Sequence, residues 1–195
     1  MSSPFENAIA AIDSAHSLDP KKIAVNGVNV PYELHYAHKM TEYLGKRAPN
    51  ASEPLRLAIR AQHFRRWEVP RDSYPMTRVG YHSWRTFLKK RQAEQVEQIC
   101  KECGYKPDVA ERVAALIRKE DLKKDEETQV LEDVACLVFL DDQFEEFEKE
   151  HDEDKIISIL RKTWVKMTEH GHELALKIPM SGRPQELVQK ALSSN

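Results

Sequence analysis

The chain has 195 residues, of which 41% are hydrophobic and 32% are charged, and its formal net charge is −2. This length suits one domain with a real core, and no apolar run approaches the roughly 18 residues that a membrane span requires. The slightly negative net charge disfavours binding to a long nucleic-acid polymer. The N-terminal segment lacks the pattern of a secretory or mitochondrial signal, so we expect a soluble protein of the cytoplasm or the nucleus.

Apolar residues recur at helical spacing along most of the chain, and this periodicity predicts an all-α fold. The turn signal Asn26-Gly27 predicts either a small hairpin or an extended loop at 21–31. The predicted helices cover 4–16, 32–46, 52–67 after a cap at Ser52, 83–103 and 108–118, followed by one capped by Thr128 that runs to 151 and one capped by Asp154 that runs to 178. We expect a single helical domain over 1–178 and a C-terminal tail over 179–195.

Three cysteines are present, and two of them, Cys100 and Cys103, form a Cys-x-x-Cys pair. A zinc site of this type needs a second pair, and a redox motif needs a strand-to-helix setting that the surrounding helical pattern does not offer. We therefore expect reduced, dispensable thiols at a helix end.

Charge is unevenly distributed along the chain. Between Arg60 and Arg91, nine basic residues stand against two acidic ones, whereas 120–154 holds sixteen acidic residues and three lysines. The segment 60–85 contains six arginines and no lysine, interleaved with aromatic residues. Arginine binds phosphate and carboxylate with a rigid fork of donors and keeps its charge when it is desolvated.

This pattern predicts a site for an anionic, phosphate-bearing small molecule. The candidate binding residues are Arg60, Arg66, Trp67, Arg71, Arg78, Tyr81, Trp84 and Arg85, with Lys162 and Lys166 adding charge from the last long helix. The alternative is that these arginines form ion pairs with the acidic helices and that the tryptophans fill the core.

The helix at 131–140 is apolar all round, which predicts a central, buried position. Glu132 and Asp133 lie at its start, and a buried carboxylate needs a cation or a metal ion as its partner. Adjacent residues project about 100° apart on a helix, so at most one of the two is expected in the site. His63 is the natural third member, which makes His63, Glu132 and Asp133 the candidate catalytic residues.

Several strings in the chain are too specific to arise from helical periodicity alone. They include Ala58-Ile59-Arg60-Ala61-Gln62-His63, Arg66-Trp67, Pro70-Arg71, Gly80-Tyr81, Trp84-Arg85, Leu131-Glu132-Asp133-Val134-Ala135-Cys136 and Lys162-Thr163-Trp164. Over roughly 30–178 the chain resembles the domain-of-unknown-function family 4202, which implies no activity. Some members carry a glutamyl-tRNA synthetase label, but the chain is far too short and has no Rossmann fingerprint.

The helical pattern also resembles the HD-domain phosphohydrolases, in which histidines and aspartates on successive helices hold a divalent metal ion that activates water. The resemblance implies His35 or His38 as the first metal ligand, His63 as the second and Asp133 as the last. The chain departs from that pattern at Phe64, where the family has an aspartate.

Together these patterns favour an HD-like helical domain that acts as a metal-assisted hydrolase on a phosphorylated small molecule or nucleotide. In that reading His63 and Asp133 bind the metal or activate water, and Glu132 is a base. The alternative, favoured by Phe64, is a non-enzymatic module that binds a nucleotide, an RNA end or an acidic partner. A third hypothesis is a helical interaction protein whose arginines are internal ion pairs.

Overall fold

Helices make up most of the computed structural model, which describes residues 2–193. In chain order they are α1 (Pro4–His16), α2 (Tyr32–Arg47), α3 (Glu53–Arg60), α4 (Arg78–Glu102), α5 (Pro107–Arg118), α6 (Glu126–Val138), α7 (Phe144–Lys149), α8 (Glu153–Lys166), α9 (Glu169–Ala175) and α10 (Gly182–Ser193). The predicted all-α fold class is confirmed. Across residues 2–193, no helix combines the length and the apolar character needed to cross a membrane.

A two-stranded antiparallel hairpin, β1 (Lys22–Val25) and β2 (Val28–Pro31), lies between α1 and α2. Its turn residues, Asn26 and Gly27, have φ values of 50° and 79°. Two successive positive φ angles match the twist of a tight hairpin, and Asn-Gly tolerates them best. Of the two alternatives predicted for this segment, the hairpin is therefore the one that forms.

The core lies around α6, which packs against α2, while α5 packs against α3 and α4. Leu131, Val134 and Leu137 of α6 are fully buried, as the all-round apolar pattern of this helix predicted. Burying an apolar side chain of this size stabilises the fold by about 1.5–3 kcal/mol. This packing brings the start of α6 towards the C-terminal ends of α5 and α8.

The third helix ends at Arg60, seven residues before the predicted end at Trp67. Beyond it, His63 and Arg65 adopt left-handed backbone conformations, with φ values of 62° and 49°. The carboxylate of Glu33 accepts hydrogen bonds from the backbone N–H groups of Arg65 and Arg66, so an interaction with α2 replaces the helical hydrogen bonds here.

Three other helix starts differ from the sequence prediction. The fourth helix begins at Arg78 and not near 83, because the hydroxyl of Thr77 caps it by accepting from Gly80 N–H. Asp125 and not Thr128 caps α6, and Thr128 is buried in the first turn, where its N–H donates to Asp125. The cap of α8 is Asp152, two residues before Asp154.

Two predicted helices are interrupted. The helix expected to run from 128 to 151 passes through a π-helical turn at Phe139–Gln143 before α7. The helix expected over 154–178 breaks after Lys166, and Thr168 caps a new helix, α9. Thr168 also binds Asp133, so a contact from α6 fixes the break.

The C-terminal segment predicted as a tail folds into α10, which packs on α8. Leu187 and Ala191, four residues apart, share a helix face and are both buried. The segment 182–193 of the predicted tail is therefore helical. Residues 194 and 195 of that prediction lie outside the described part of the chain.

Candidate functional site

A cavity of about 300 Å³ lies between the start of α2, the turn segment 63–71 and α4. It is lined by Asp19, Lys21, Tyr32, Glu33, Tyr36, His63, Arg66, Trp67, Val69, Pro70, Arg71 and Trp84. Five of the residues singled out in the sequence are therefore brought together here: His63, Arg66, Trp67, Arg71 and Trp84.

Glu33, at the start of α2, holds one wall of this cavity in place. Its carboxylate is 2.8–3.0 Å from the backbone nitrogens of Arg65 and Arg66, and 2.9 Å from Nδ1 of the fully buried His16. Nε2 of His16 is 2.9 Å from the carbonyl oxygen of Arg60. His16 therefore links α1 both to Glu33 and to the end of α3.

Arg66 brings a positive charge into the cavity without a matching carboxylate. Its guanidinium lies over the ring of Trp84, 4.7 Å from the centroid, and Nη1 is 2.9 Å from Nε2 of His63. Burial and the nearby Arg85 lower the pKa of Arg66. No Asp or Glu among residues 2–193 lies within ion-pair distance of this guanidinium, so its charge is available to a ligand.

His63 is held as a neutral ring. It stacks on Tyr36 with the ring centroids 4.2 Å apart, and its Nε2 faces a guanidinium that can only donate. Burial, reinforced by Arg66 and Arg85, holds the pKa of His63 well below its ordinary value. The ring therefore accepts a hydrogen bond from Arg66 through Nε2, one of the two nitrogens by which a histidine can bind a metal ion.

We expect His63 to stay neutral well below pH 6.5 in the folded protein. A folded-state pKa below the unfolded value of about 6.5 means that the unfolded chain binds more protons as the pH falls. The stability that the neutral ring contributes is therefore complete above pH 6.5 and is lost below it. Nitrogen chemical shifts of a ¹⁵N-labelled sample, recorded from pH 8 to pH 5, measure this, and the urea-unfolded chain is the control. A folded-state midpoint near 6.5 would contradict the assignment.

Arg71 closes the loop that precedes α4. Its guanidinium donates to the carbonyl oxygens of Tyr74, Pro75 and Thr77 at 2.9–3.2 Å, and it lies 5.9 Å from the ring of Trp84. The indole N–H of Trp84 in turn donates to the carbonyl oxygen of Val69. The Trp84 ring thus lies near two guanidinium groups, and the hydrogen bonds of the Arg71 guanidinium go to carbonyl oxygens.

Trp67 presents a donor that the protein does not use. Its Nε1 atom is buried, and no acceptor within residues 2–193 lies at hydrogen-bond distance. An indole N–H can only donate, and a buried donor without a partner costs about 1–3 kcal/mol. Since Trp67 lines the cavity, an acceptor atom of a ligand or a water molecule would satisfy it.

The two adjacent carboxylates of α6 have separate surroundings. Glu132 is 2.5 Å from Nζ of Lys119 and 3.6 Å from Nζ of Lys166. Burial alone would raise the pKa of Glu132, but Lys119, Lys166 and Lys89 outweigh it and lower that pKa.

Asp133 is fully buried and its carboxylate is enclosed by protein donors. It accepts from Nε of Arg47 at 2.8 Å, and from the N–H and hydroxyl of Thr168 at 2.8 and 2.5 Å. Asp133 thus ties α6 to α2 and to the start of α9. As expected for neighbours on a helix, the two carboxylates do not converge on one point.

Other candidates lie away from the cavity lining. Arg60 forms a two-point ion pair with Asp13, both contacts at 2.7 Å, which is the internal pairing that the sequence left as an alternative. Arg78, Tyr81 and Lys162 are exposed at the surface.

The ligand set implied by the HD resemblance is not assembled. His35 contacts Asp142 at 2.6 Å, His38 is exposed, and His63 and Asp133 have the partners described above. Across residues 2–193, no group of three or more His, Cys, Asp or Glu side chains is placed to hold a metal ion. These donors therefore do not fit a bound divalent cation in this arrangement.

The cysteines are free, and Cys100 is fully buried. Burial raises the pKa of the Cys100 thiol to about 11 and that of Cys136 to about 12. Both thiols are therefore protonated near neutral pH, where they are poor nucleophiles and poor metal ligands.

Comparison with known proteins gives one family match. A family model described as a domain of unknown function (DUF4202) matches residues 6–188, a wider span than the resemblance over 30–178 indicated. No curated protein and no solved structure matches the chain. Because the family model covers nearly the whole chain, the protein belongs to the DUF4202 family.

Proposed function

We propose that this domain binds a small, phosphate-bearing anion in the cavity between α2, the 63–71 segment and α4. The observation that carries the proposal is Arg66, whose partly buried guanidinium contacts a neutral histidine and an indole ring, and has no carboxylate partner in the described part of the chain. A buried charge is costly unless it is paired. An anionic ligand would supply the missing partner.

The chemistry of the cavity suits a phosphate group attached to an aromatic or sugar moiety. Guanidinium binds phosphate oxygens at two points, and Arg66 and Arg71 both lie in the lining. The Trp67 indole offers a further donor, and Lys21 adds a charge at the hairpin side. A volume of about 300 Å³ is at the lower end of the range for small-molecule sites, which favours a compact ligand.

The same geometry favours a binding module over a metal-assisted hydrolase. Hydrolysis in the HD manner needs His63 and Asp133 as ligands of one metal ion, yet Arg66 occupies Nε2 of His63, and Arg47 and Thr168 enclose Asp133. The hydrolase stays a prediction from the sequence. Binding requires no rearrangement of these contacts.

Replacing Arg66 with methionine should weaken phosphate binding by about tenfold or more, since a charge-assisted hydrogen bond contributes about 1.5–3 kcal/mol. Isothermal titration calorimetry with inorganic phosphate measures this, and a thermal shift on adding phosphate provides a second readout. Arg56→Met is the matched control, because Arg56 is exposed on α3 and contacts the Phe5 ring. The proposal fails if phosphate and pyrophosphate do not bind at millimolar concentration, or if both variants bind like the parent.

A further inference from the structure

A second group of positive charges lies beside the cavity, around the buried carboxylate of Glu132. Lys119, at the end of α5, and Lys166, at the end of α8, both approach this carboxylate, at 2.5 and 3.6 Å. Lys89 of α4 is half-buried. Burial and the charges of Lys119 and Arg85 lower the pKa of Lys89, whereas the carboxylate of Glu132 raises it. Together, Arg85, Lys89, Lys119, Lys166 and Glu132 are called the Glu132 cluster below.

The cluster carries more positive charge than the protein neutralises. Two lysines, Lys119 and Lys166, pair with the Glu132 carboxylate, and neither Arg85 nor Lys89 has an ion-pair partner among residues 2–193. Like charges that are partly removed from water repel one another more strongly than in bulk solvent. The surface lysine next along the chain, Lys90, differs: its side chain is 75% exposed and it faces Glu94 at 3.9 Å.

The cluster continues from the cavity. Arg85 and Lys89 are one turn apart on α4 and so lie on the same face of that helix. Arg85 is also close enough to Arg66 and His63 to lower both of their pKa values. Trp84 of α4 lines the cavity, and Arg85 and Lys89 follow it on the same helix, so positive charge continues along α4 from the cavity wall.

We propose that the ligand carries at least two anionic groups, one bound by Arg66 in the cavity and another bound by Arg85 and Lys89 at the Glu132 cluster, as in a compound with a diphosphate or longer phosphate chain. This inference rests on the proposed function. A single phosphate in the cavity would leave the positive charge of the Glu132 cluster without a counter-charge. A chain of phosphates would place negative charge both in the cavity and at the Glu132 cluster. The half-buried position of Lys89 favours such a compact polyanion over an extended polymer.

The test compares inorganic phosphate, pyrophosphate and tripolyphosphate by isothermal titration calorimetry at constant ionic strength. The parent protein should bind tripolyphosphate at least about tenfold more tightly than phosphate, because further charge-assisted contacts form. Lys89→Met should reduce the affinity for tripolyphosphate by about tenfold and leave that for phosphate nearly unchanged. Lys90→Met removes the same charge from the neighbouring exposed position and should change neither affinity.

The outcomes separate this inference from the proposed function. If phosphate binds and depends on Arg66, but tripolyphosphate binds no more tightly and Lys89→Met has no effect, only the second anionic subsite is overturned. If Lys89→Met and Lys90→Met weaken tripolyphosphate binding equally, the effect is that of net charge and the subsite is again overturned. If none of the three anions binds, both proposals fail.

Discussion

Glu33→Ala is expected to lower the free energy of unfolding by about 3–5 kcal/mol, because each buried donor that loses its acceptor costs about 1–3 kcal/mol. The Glu33 side chain accepts hydrogen bonds from the backbone of Arg65 and Arg66, and it contacts the buried His16. Removing it leaves two backbone donors and an imidazole without their acceptor. Phosphate binding should be lost as well, since these backbone bonds position Arg66.

Urea denaturation monitored by circular dichroism measures the stability change, and calorimetry with phosphate measures binding. Glu42→Ala is the matched control on the same helix: Glu42 is half-exposed and pairs with Lys46, and a surface pair contributes about 0–1 kcal/mol. Equal stability losses in the two variants would show that Glu33 does not support the cavity wall. A stable Glu33→Ala protein that still bound phosphate would also contradict the role given to it.

The large effect expected for Glu33 has a backbone origin. His63 and Arg65 both have left-handed conformations, each of which costs about 1–3 kcal/mol for a residue other than glycine unless the surroundings compensate. Glu33 supplies that compensation by binding the N–H groups of Arg65 and Arg66. The same strained turn directs the Arg66 guanidinium onto Trp84, so the conformation of the segment and the proposed anion site depend on one carboxylate.

The helices could be predicted from the sequence because their signals are local. Apolar spacing located α1 and α5 to within a residue or so, and Asn26-Gly27 indicated the hairpin turn. The errors arose where a distant group supplies a hydrogen bond. The end of α3 depends on Glu33, and the break before α9 depends on Asp133. Neither contact has a signal within the segment that it interrupts.

The candidate site was predictable in part for the same reason. One continuous stretch of the chain supplies Arg66, Trp67, Arg71 and Trp84. The clustering of arginine and aromatic residues in that stretch was enough to predict that they share a site. Glu33, a charged residue in an ordinary amphipathic helix, gave no sign that it would be buried in the cavity wall.

Pairing of charges could not be assigned from the sequence because ion pairs join distant helices. The acidic segment 120–154 was expected to neutralise the arginines in part, yet Arg60 pairs with Asp13, and Arg65 and Arg91 both pair with Glu68. The arginines that remain without carboxylates could be identified only from the folded arrangement.

Asp133→Asn is expected to lower the free energy of unfolding by about 3–5 kcal/mol, and to leave phosphate binding by the folded fraction unchanged. The amide nitrogen of asparagine would face Arg47 or the backbone N–H of Thr168, both of which are donors. The guanidinium of Arg47 would then be partly buried without a counter-charge. Because Asp133 does not line the cavity, the loss should appear in stability and not in affinity.

A second substitution tests the same contact from the other side. A Cβ atom at Gly171 would lie 2.9 Å from Oδ1 of Asp133, closer than atoms of the two residues can pack, so Gly171→Ala should also destabilise the protein. Gly45→Ala is the control: no heavy atom lies within 4 Å of its added Cβ, and alanine should stabilise this helix by roughly 0.5–1 kcal/mol.

If Asp133→Asn instead melts like the parent and changes the metal content found by elemental analysis, Asp133 is a metal ligand and the hydrolase predicted from the sequence is favoured. If both Asp133→Asn and Gly171→Ala are destabilised with no metal detected, Asp133 is the structural partner of Arg47 and Thr168, and the site is confined to the cavity and the Glu132 cluster.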